Sequence, residues 1–487
     1  MAGIRYLKIA SIVSVLCAMV LTSHAQTFTT IATFDGKDGN GPWHGPLVQG
    51  TDGNLYGTTI NGGASLGCYE AGCGTFFRLT PDGTLTSLHS FCLKSGCIDG
   101  EMPYVGVIQT GETSFYGVTA FGGLGNCPSF DDSCGTVFKI TTGGVLTILH
   151  RFNGTDGAGP EAMLVRGPNG NFYGTTVFGG TACTEAGCGT VFEMTRDGTL
   201  TTLHSFDSMH GEHPNGLIHA PDGNFYGTTS DGGAGSGGTV FKMTPGGPVS
   251  TLYNFCSKND CADGKFPGGS LVQSTDGNFY GTTQHGGNSV CSLGCGTVFK
   301  VTRNGTLMTL HTFDGSDGAY PNIGLVLATD GNLYGTTLYG GTGCAPYGCG
   351  TIFKITATGT LTTLHKFDNS DGSGPGSPLL QATNGTFYGT TEYGMNNSGT
   401  VFSLSVGLGP FVKTQPTFGK VGAKIVILGS NLRGATGISF NGTPAPYKVL
   451  SDTVITTTVP IGATTGAIQI TTPDGNLLSN LPFEVIR

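Results

Sequence analysis

His210, Glu212 and His213 form the densest group of side chains able to hold a metal or move a proton. Two imidazoles and a carboxylate are the donor types of a divalent-metal site or a general base. They lack the fixed helical spacing of a metal-binding motif, so a solvated loop is the plainer reading. Trp43, the single tryptophan, stands beside His44. At a rim such an indole stacks on a sugar ring; inside the fold it is a wedge. An x-Asp-Gly-x-x-Pro string places Asp38, Asp99, Asp156, Asp263, Asp317 and Asp371 at equivalent positions, with His210 in the remaining copy. Read chemically, it is a ring of carboxylates at a channel mouth, suited to a cation or to sugar hydroxyls. Read locally, Asp-Gly is a turn. Glu70 and Glu185, in cysteine-bounded loops, are further candidates. His89, His150, His204, His311 and His365 recur at one repeat position, which points to structure. The Gly-rich stretches open no helix, so neither a phosphate loop nor a nucleophile elbow is expected. No residue is assigned a catalytic or metal-binding role, and no cofactor is expected.

The cysteines carry a second chemistry. Cys17 lies in an apolar N-terminal run. The others fall into close pairs: Cys68 with Cys73, Cys92 with Cys97, Cys127 with Cys134, Cys183 with Cys188, Cys256 with Cys261, Cys291 with Cys295 and Cys344 with Cys349. Local, even pairing in an exported chain reads as disulfides. Zinc would need ligands from separate repeats to converge. Each bridge closes a very short loop, worth roughly 2 kcal/mol, and serves to fix loop shape.

Export is read from residues 1–25. Arg5 and Lys8 supply the positive start, Ile9 to Thr22 the apolar core, and Ser23-His24-Ala25 a small-x-small cleavage site. No second long apolar segment exists, so no membrane span is expected after cleavage. The net charge is −9, and Lys and Arg form no cluster, which argues against nucleic acid as a partner. With 86 glycines and abundant Phe and Tyr, but no Gly-X-Y period, the chain reads as many short strands joined by tight turns.

Tyr-Gly recurs at Tyr56, Tyr116, Tyr173, Tyr226, Tyr280, Tyr334 and Tyr388, mostly 54 residues apart. A fixed period of this size marks a stacked or circular array. Each unit reads as four antiparallel strands with Asp-Gly or Asn-Gly hairpins, the pattern of a propeller blade. The fourth-strand pattern is missing after the last unit but appears at Phe28–Phe34, so that segment is expected to complete the final blade and close the ring. The expected fold is all-β: a seven-bladed propeller over 26–406, then an immunoglobulin-like β-sandwich over 411–487. The long loops and all cysteine pairs should share one face, where function is expected to concentrate.

The units resemble the GloVer tandem repeat, most clearly at Asn171 to Thr176, Cys188 to Glu193 and Asp197 to Leu203; their blade grammar is also similar to NHL-type propellers. Gly117-Val118-Thr119 departs from the pattern, and the fourth blade lacks the loop cysteines. Pro416-Thr417-Phe418-Gly419, Ile427 to Leu432, Phe440-Asn441-Gly442, Val459-Pro460 and Thr465-Gly466 resemble an IPT/TIG domain. These resemblances imply an exported or cell-surface array with an interaction module and no known reaction. The expected function is an extracellular, cell-surface or periplasmic binding protein whose ligand is a polysaccharide or an envelope protein. The alternatives are a propeller hydrolase or lyase acting on a polysaccharide, and a structural surface array.

Overall fold

The computed structural model describes residues 26–65, 68, 71–123, 127, 133–183, 186–344, 346–394 and 397–486. The export segment, Glu70 and Glu185 lie outside these residues. The first blade shows how the sequence builds a unit. A short inner strand β2 (Val48–Gln49) is followed by β3 (Leu55–Thr59), β4 (Thr75–Leu79) and an outer β5 (Leu85–Ser90), paired antiparallel in that order. β3 is buried throughout, because neighbouring blades cover both of its faces. β5 is only half-buried, as an outer strand should be. Six blades follow this consecutive order.

Repeated aromatics weld each blade to the next. Tyr56 packs on Phe115, Tyr116 on Phe172, Tyr173 on Phe225 and Tyr226 on Phe279, with ring centroids 4.1–4.5 Å apart. The buried tyrosines keep their hydroxyls satisfied through the hairpin: Tyr56 donates to Asp52 at 2.7 Å, and Tyr226 to Asp222 at 2.6 Å. Gly57 leaves no room for a side chain. A Cβ there would lie 2.6 Å from Phe77 Cζ and 2.9 Å from Leu47 Cδ2. Gly57→Ala is therefore expected to cost about 1–3 kcal/mol by overpacking. The check is a lower urea midpoint at an unchanged m value.

Ring closure follows the reading of Phe28–Phe34. Strand β1 (Thr27–Thr33) pairs antiparallel with Thr400–Ser405, from Thr27 opposite Ser405 to Thr33 opposite Thr400. The closing blade thus takes three strands from the end of the repeats and its outer strand from their beginning. Glutamine side chains link neighbouring blades, the first of them across the closing seam. Gln49 Oε1 accepts from the Thr383 amide at 3.0 Å, Gln109 Oε1 from Thr51 at 3.1 Å, and Gln381 Oε1 from Thr329 at 3.1 Å.

Every expected cysteine pair is bonded, with Cα separations from 4.0 to 5.6 Å. Cys68 joins Cys73, Cys127 joins Cys134, Cys183 joins Cys188, Cys291 joins Cys295 and Cys344 joins Cys349, each within a loop between second and third strands. Cys92 joins Cys97 and Cys256 joins Cys261 in loops between blades. In the first kind, Cys73, Cys134, Cys188, Cys295 and Cys349 sit buried just before the third strand. In the second kind, Cys97 and Cys261 end short 3-10 turns, Ser95–Cys97 and Asn259–Cys261. Both loop types occupy one face. Isolated bridges tie them together in most blades, as at Asn40 with Asn61 and Ala319 with Tyr339.

The C-terminal unit is a sandwich of two four-stranded sheets with a parallel pair, Phe418–Lys420 and Glu484–Ile486. Its core holds Ile425, Ile427, Phe440, Ile455, Ile468, Ile470 and Phe483. Alternating segments form its strands Lys424–Leu428, Gly437–Phe440, Val454–Thr458 and Ile468–Thr472. Lys413–Gln415, Thr443–Pro444, Tyr447–Val449 and Gly475–Leu478 are additional. This domain sits on the hairpin face, opposite the disulfides. Thr453 donates to the Thr51 carbonyl at 2.8 Å, Phe411 N donates to Thr383 O at 2.9 Å, and Phe418 packs on His219 at 5.6 Å. These contacts reach blades one and seven and, across the axis, blade four. The domain therefore crosses that end of the central channel and leaves the disulfide face as its open mouth.

Candidate functional site

Each inner strand is entered through a repeated proline: Pro42, Pro103, Pro160, Pro214, Pro267, Pro321 and Pro375. Proline fixes φ at the entry of each inner strand. At the next position the repeat stops repeating: it carries Trp43, Tyr104, Glu161, Asn215, Gly268, Asn322 and Gly376. Five of these, from Tyr104 to Asn322, line a cavity of about 390 Å³ at the channel mouth, together with His44, His213, Asp231, Ser270 and Gln284. His213 lies in the strand Glu212–His219, whose register sets Glu212 opposite Asp231 and brings His213 against the Asp231 side chain. His213 Nδ1 lies 3.2 Å from Asp231 Oδ2, with the Phe178 ring edge-on at 5.1 Å.

Desolvation governs the electrostatics. Burial pushes the Glu161 carboxyl up to about 7, with His213 pulling weakly the other way. Burial also holds the His44 imidazole down at about 4, so it is neutral at physiological pH. The Tyr104 hydroxyl is raised by burial and then by the charges of Glu161 and Glu392, and burial raises Glu392 itself. No Lys or Arg is among the described residues lining the cavity. The site therefore presents neutral and weakly acidic hydrogen-bonding groups, an aromatic wall and no fixed cation for an anionic ligand.

A carboxyl raised by folding binds its proton more tightly in the native state. Its contribution to stability is full below about pH 4.5 and is lost as pH rises towards 7. His44 works in the opposite sense, losing stability as pH falls from 6.5 towards 4. The difference between wild type and Glu161→Gln isolates the first effect. That difference is expected to change by about 1–2 kcal/mol over this range, discounted for the open mouth. Urea melts of both proteins at several pH values read it.

Of the sequence candidates, His44 and His213 reach the cavity. Trp43 is a wedge: it stacks on His44 at 4.5 Å, and a Cβ on Gly376 would lie 2.1 Å from its Cδ1. Its Nε1 is buried without a partner. Asp38, Asp99, Asp156, Asp263, Asp317 and Asp371 do not line the cavity. Their carboxylates face the turn and the outer strand. Asp156 meets His150 at 2.9 Å, Asp317 meets His311 and Asp371 meets His365 at 2.8 Å, and Asp263 accepts from Tyr253 at 2.7 Å. Asp38 and Asp99 accept from backbone amides of their own turns. This is the turn role, and it engages three of the five recurring histidines, whereas His89 Nε2 and His204 Nε2 are buried without a hydrogen-bond partner. His210 pairs with Asp207 at 2.7 Å, and neither it nor Glu212 lines the cavity. The group His210, Glu212, His213 is thus divided. Tyr104, Glu161, Asn215, Asp231, Ser270, Gln284 and Asn322 escaped the sequence reading, although the break in symmetry after each repeated proline marks four of them.

The disulfides stand outside the cavity. None of its described lining residues is a cysteine, so Cys97, Cys134, Cys261 and Cys295, like their partners, act on loop shape and not on a ligand at the channel mouth. Cys68, Cys73, Cys92 and Glu101 also lie close together, but the three sulfurs belong to disulfides and are not free to ligate.

No curated protein matches the chain by sequence. Among solved structures, a 6-phosphogluconolactonase-like protein of Bacteroides uniformis is 18% identical, covering 66% of this chain and 85% of its own, with a TM-score of 0.41. A gluconolactonase of Xanthomonas campestris is 14% identical over 55% and 78%, at 0.34. A copper-bound fungal alcohol oxidase is 12% identical over 92% and 100%, at 0.44. The IPT/TIG domain model matches residues 411–485. The Gloeobacter/Verrucomicrobia repeat model matches residues 18–207 and 182–402, most of the chain, and this protein belongs to that repeat family.

Proposed function

We propose that this is an exported binding protein that holds a neutral polysaccharide at the open mouth of its propeller. The observation that carries the reading is the loss of repeat symmetry where the inner strands meet the channel. A scaffold needs the same residue in every blade; a ligand without sevenfold symmetry needs different ones. Here a tyrosine, a carboxyl with a raised pKa, two asparagines and an Asp–His pair face one cavity. Aromatic walls and amide or carboxyl groups suit a sugar's apolar face and hydroxyls. The lack of a Lys or Arg among the described lining residues disfavours uronic acids and sulfated glycans. The disulfides and the signal-like residues 1–25 support export. A panel of neutral and anionic glycans, immobilised and probed with the full chain, tests the reading. Selective retention of neutral glycans is expected; retention of anionic glycans alone, or of none, overturns it.

A further inference from the structure

Resting on that reading, we propose that the ligand site extends outward across blades five to seven into a second, rim subsite for the same neutral glycan chain. Three large aromatics of the propeller are exposed among the described residues: Tyr339 at 40%, Tyr347 at 72% and Tyr393 at 43%. All three lie on the disulfide face of blades six and seven. The repeat does not demand a tyrosine there. The positions equivalent to Tyr339 and Tyr393 carry Asn61, Phe121, Phe178, Asp231 and His285 in the other blades. Exposed rings scattered singly need no explanation, but rings gathered in one sector mark an interaction surface.

The sector is continuous with the cavity. Phe266 lines the cavity and packs against His285 at 5.6 Å; His285 meets Tyr320 at 4.8 Å, Tyr320 meets Tyr339 at 5.6 Å, and Tyr339 approaches Tyr347 at 6.3 Å. This run of rings leads from the channel to the loop stapled by Cys344 and Cys349. Beside it, Tyr393 walls an open cleft of about 470 Å³ together with Asp368, Asn369, Ser373 and Asn397. One aromatic plate, two amides, a hydroxyl and a carboxylate repeat the chemistry of the central cavity, again with no Lys or Arg lining it among the described residues. The Asp368 carboxylate is oriented by the Ser370 amide at 3.0 Å, and the nearby bridge between Ser373 and Tyr393 ties the inter-blade loop to the loop bearing the ring. A chain seated at the mouth would leave along these rings, each contributing a stacking contact. A compact protein partner would instead need a larger apolar patch than three tyrosines offer.

The test is isothermal titration of the full chain with cello-, xylo-, manno- and chito-oligosaccharides, from mono- to hexasaccharide. In the series that binds, affinity is expected to climb with length beyond the disaccharide. Tyr347→Ala and Tyr393→Ala should each weaken the hexasaccharide by about tenfold and leave the disaccharide unchanged. Both side chains are exposed, and an unchanged thermal midpoint confirms folding. Length-independent affinity, or hexasaccharide binding indifferent to both substitutions, overturns the rim subsite while the cavity reading stands. Failure of every series to bind overturns the cavity reading and the rim subsite together.

Discussion

A chain lacking residues 27–33 is expected to lose the cooperative thermal transition of the propeller and to elute as aggregate. β1 supplies the outer strand of the closing blade through pairing with Thr400–Ser405. Without it that strand becomes an open edge, a template for pairing with other chains. Packing is lost as well. Phe28 stacks on His365 at 3.8 Å and lies 5.4 Å from Phe402. Phe34, just beyond the strand, is fully buried against Phe77 at 5.1 Å. Phe34→Ala alone should cost about 3–5 kcal/mol, a large part of a domain's stability. Circular dichroism melts and size-exclusion chromatography check both variants. A truncated chain that melts like wild type would mean the ring closes some other way.

On the proposed reading, replacing Glu161 or Tyr104 by alanine is expected to weaken glycan binding by about tenfold or more, with Tyr104→Ala also lowering the melt because the ring packs on its blade's core. Burial raises the Glu161 carboxyl to about 7, so near neutral pH it can hold a proton and donate as well as accept. Where the sugar takes that proton, wild-type affinity should fall as pH rises through about 7. Glu161→Gln keeps a donor in place and should hold its affinity across the same range. Tyr104 forms part of the wall beside His44, with ring centroids 6.2 Å apart, and its removal takes away a stacking face. Substitution of Asp156 or Asp317 should instead act on stability, because those carboxylates brace histidines of the outer strands.

The architecture was legible because it is periodic. Tyr-Gly, the Asp-Gly hairpins and the displaced fourth strand each state a local rule, and closure follows from matching strands to blades. The disulfides were legible for the same reason: each partner lies within a few residues of the other, so pairing needed no knowledge of the fold. The site was less legible. Glu161, Asn215 and Asn322 are separated by about one or two repeats and meet only because the ring brings equivalent positions to a common axis. Their one local mark is the change of residue after each repeated proline, which shows only once the repeats are laid over one another. The Asp ring drew attention because it repeats, yet repetition is what a turn requires. His44 and His213 were found as departures from the pattern, which is the signal that also marks Tyr104 and Glu161. In the C-terminal domain, Tyr447–Val449 and Thr443–Pro444 were missed because such short strands carry almost no alternation.

The most direct test of the proposed reading is hydrogen–deuterium exchange of the full chain with and without cello-, xylo-, manno- and chitohexaose in turn. Protection should concentrate in the inner-strand entries around His44, Val105, Ala162, Asn215 and Ile323, with a second zone near Tyr347 and Tyr393. Protection confined to the hairpin face or to the C-terminal sandwich would contradict a ligand seated at the disulfide-bearing mouth.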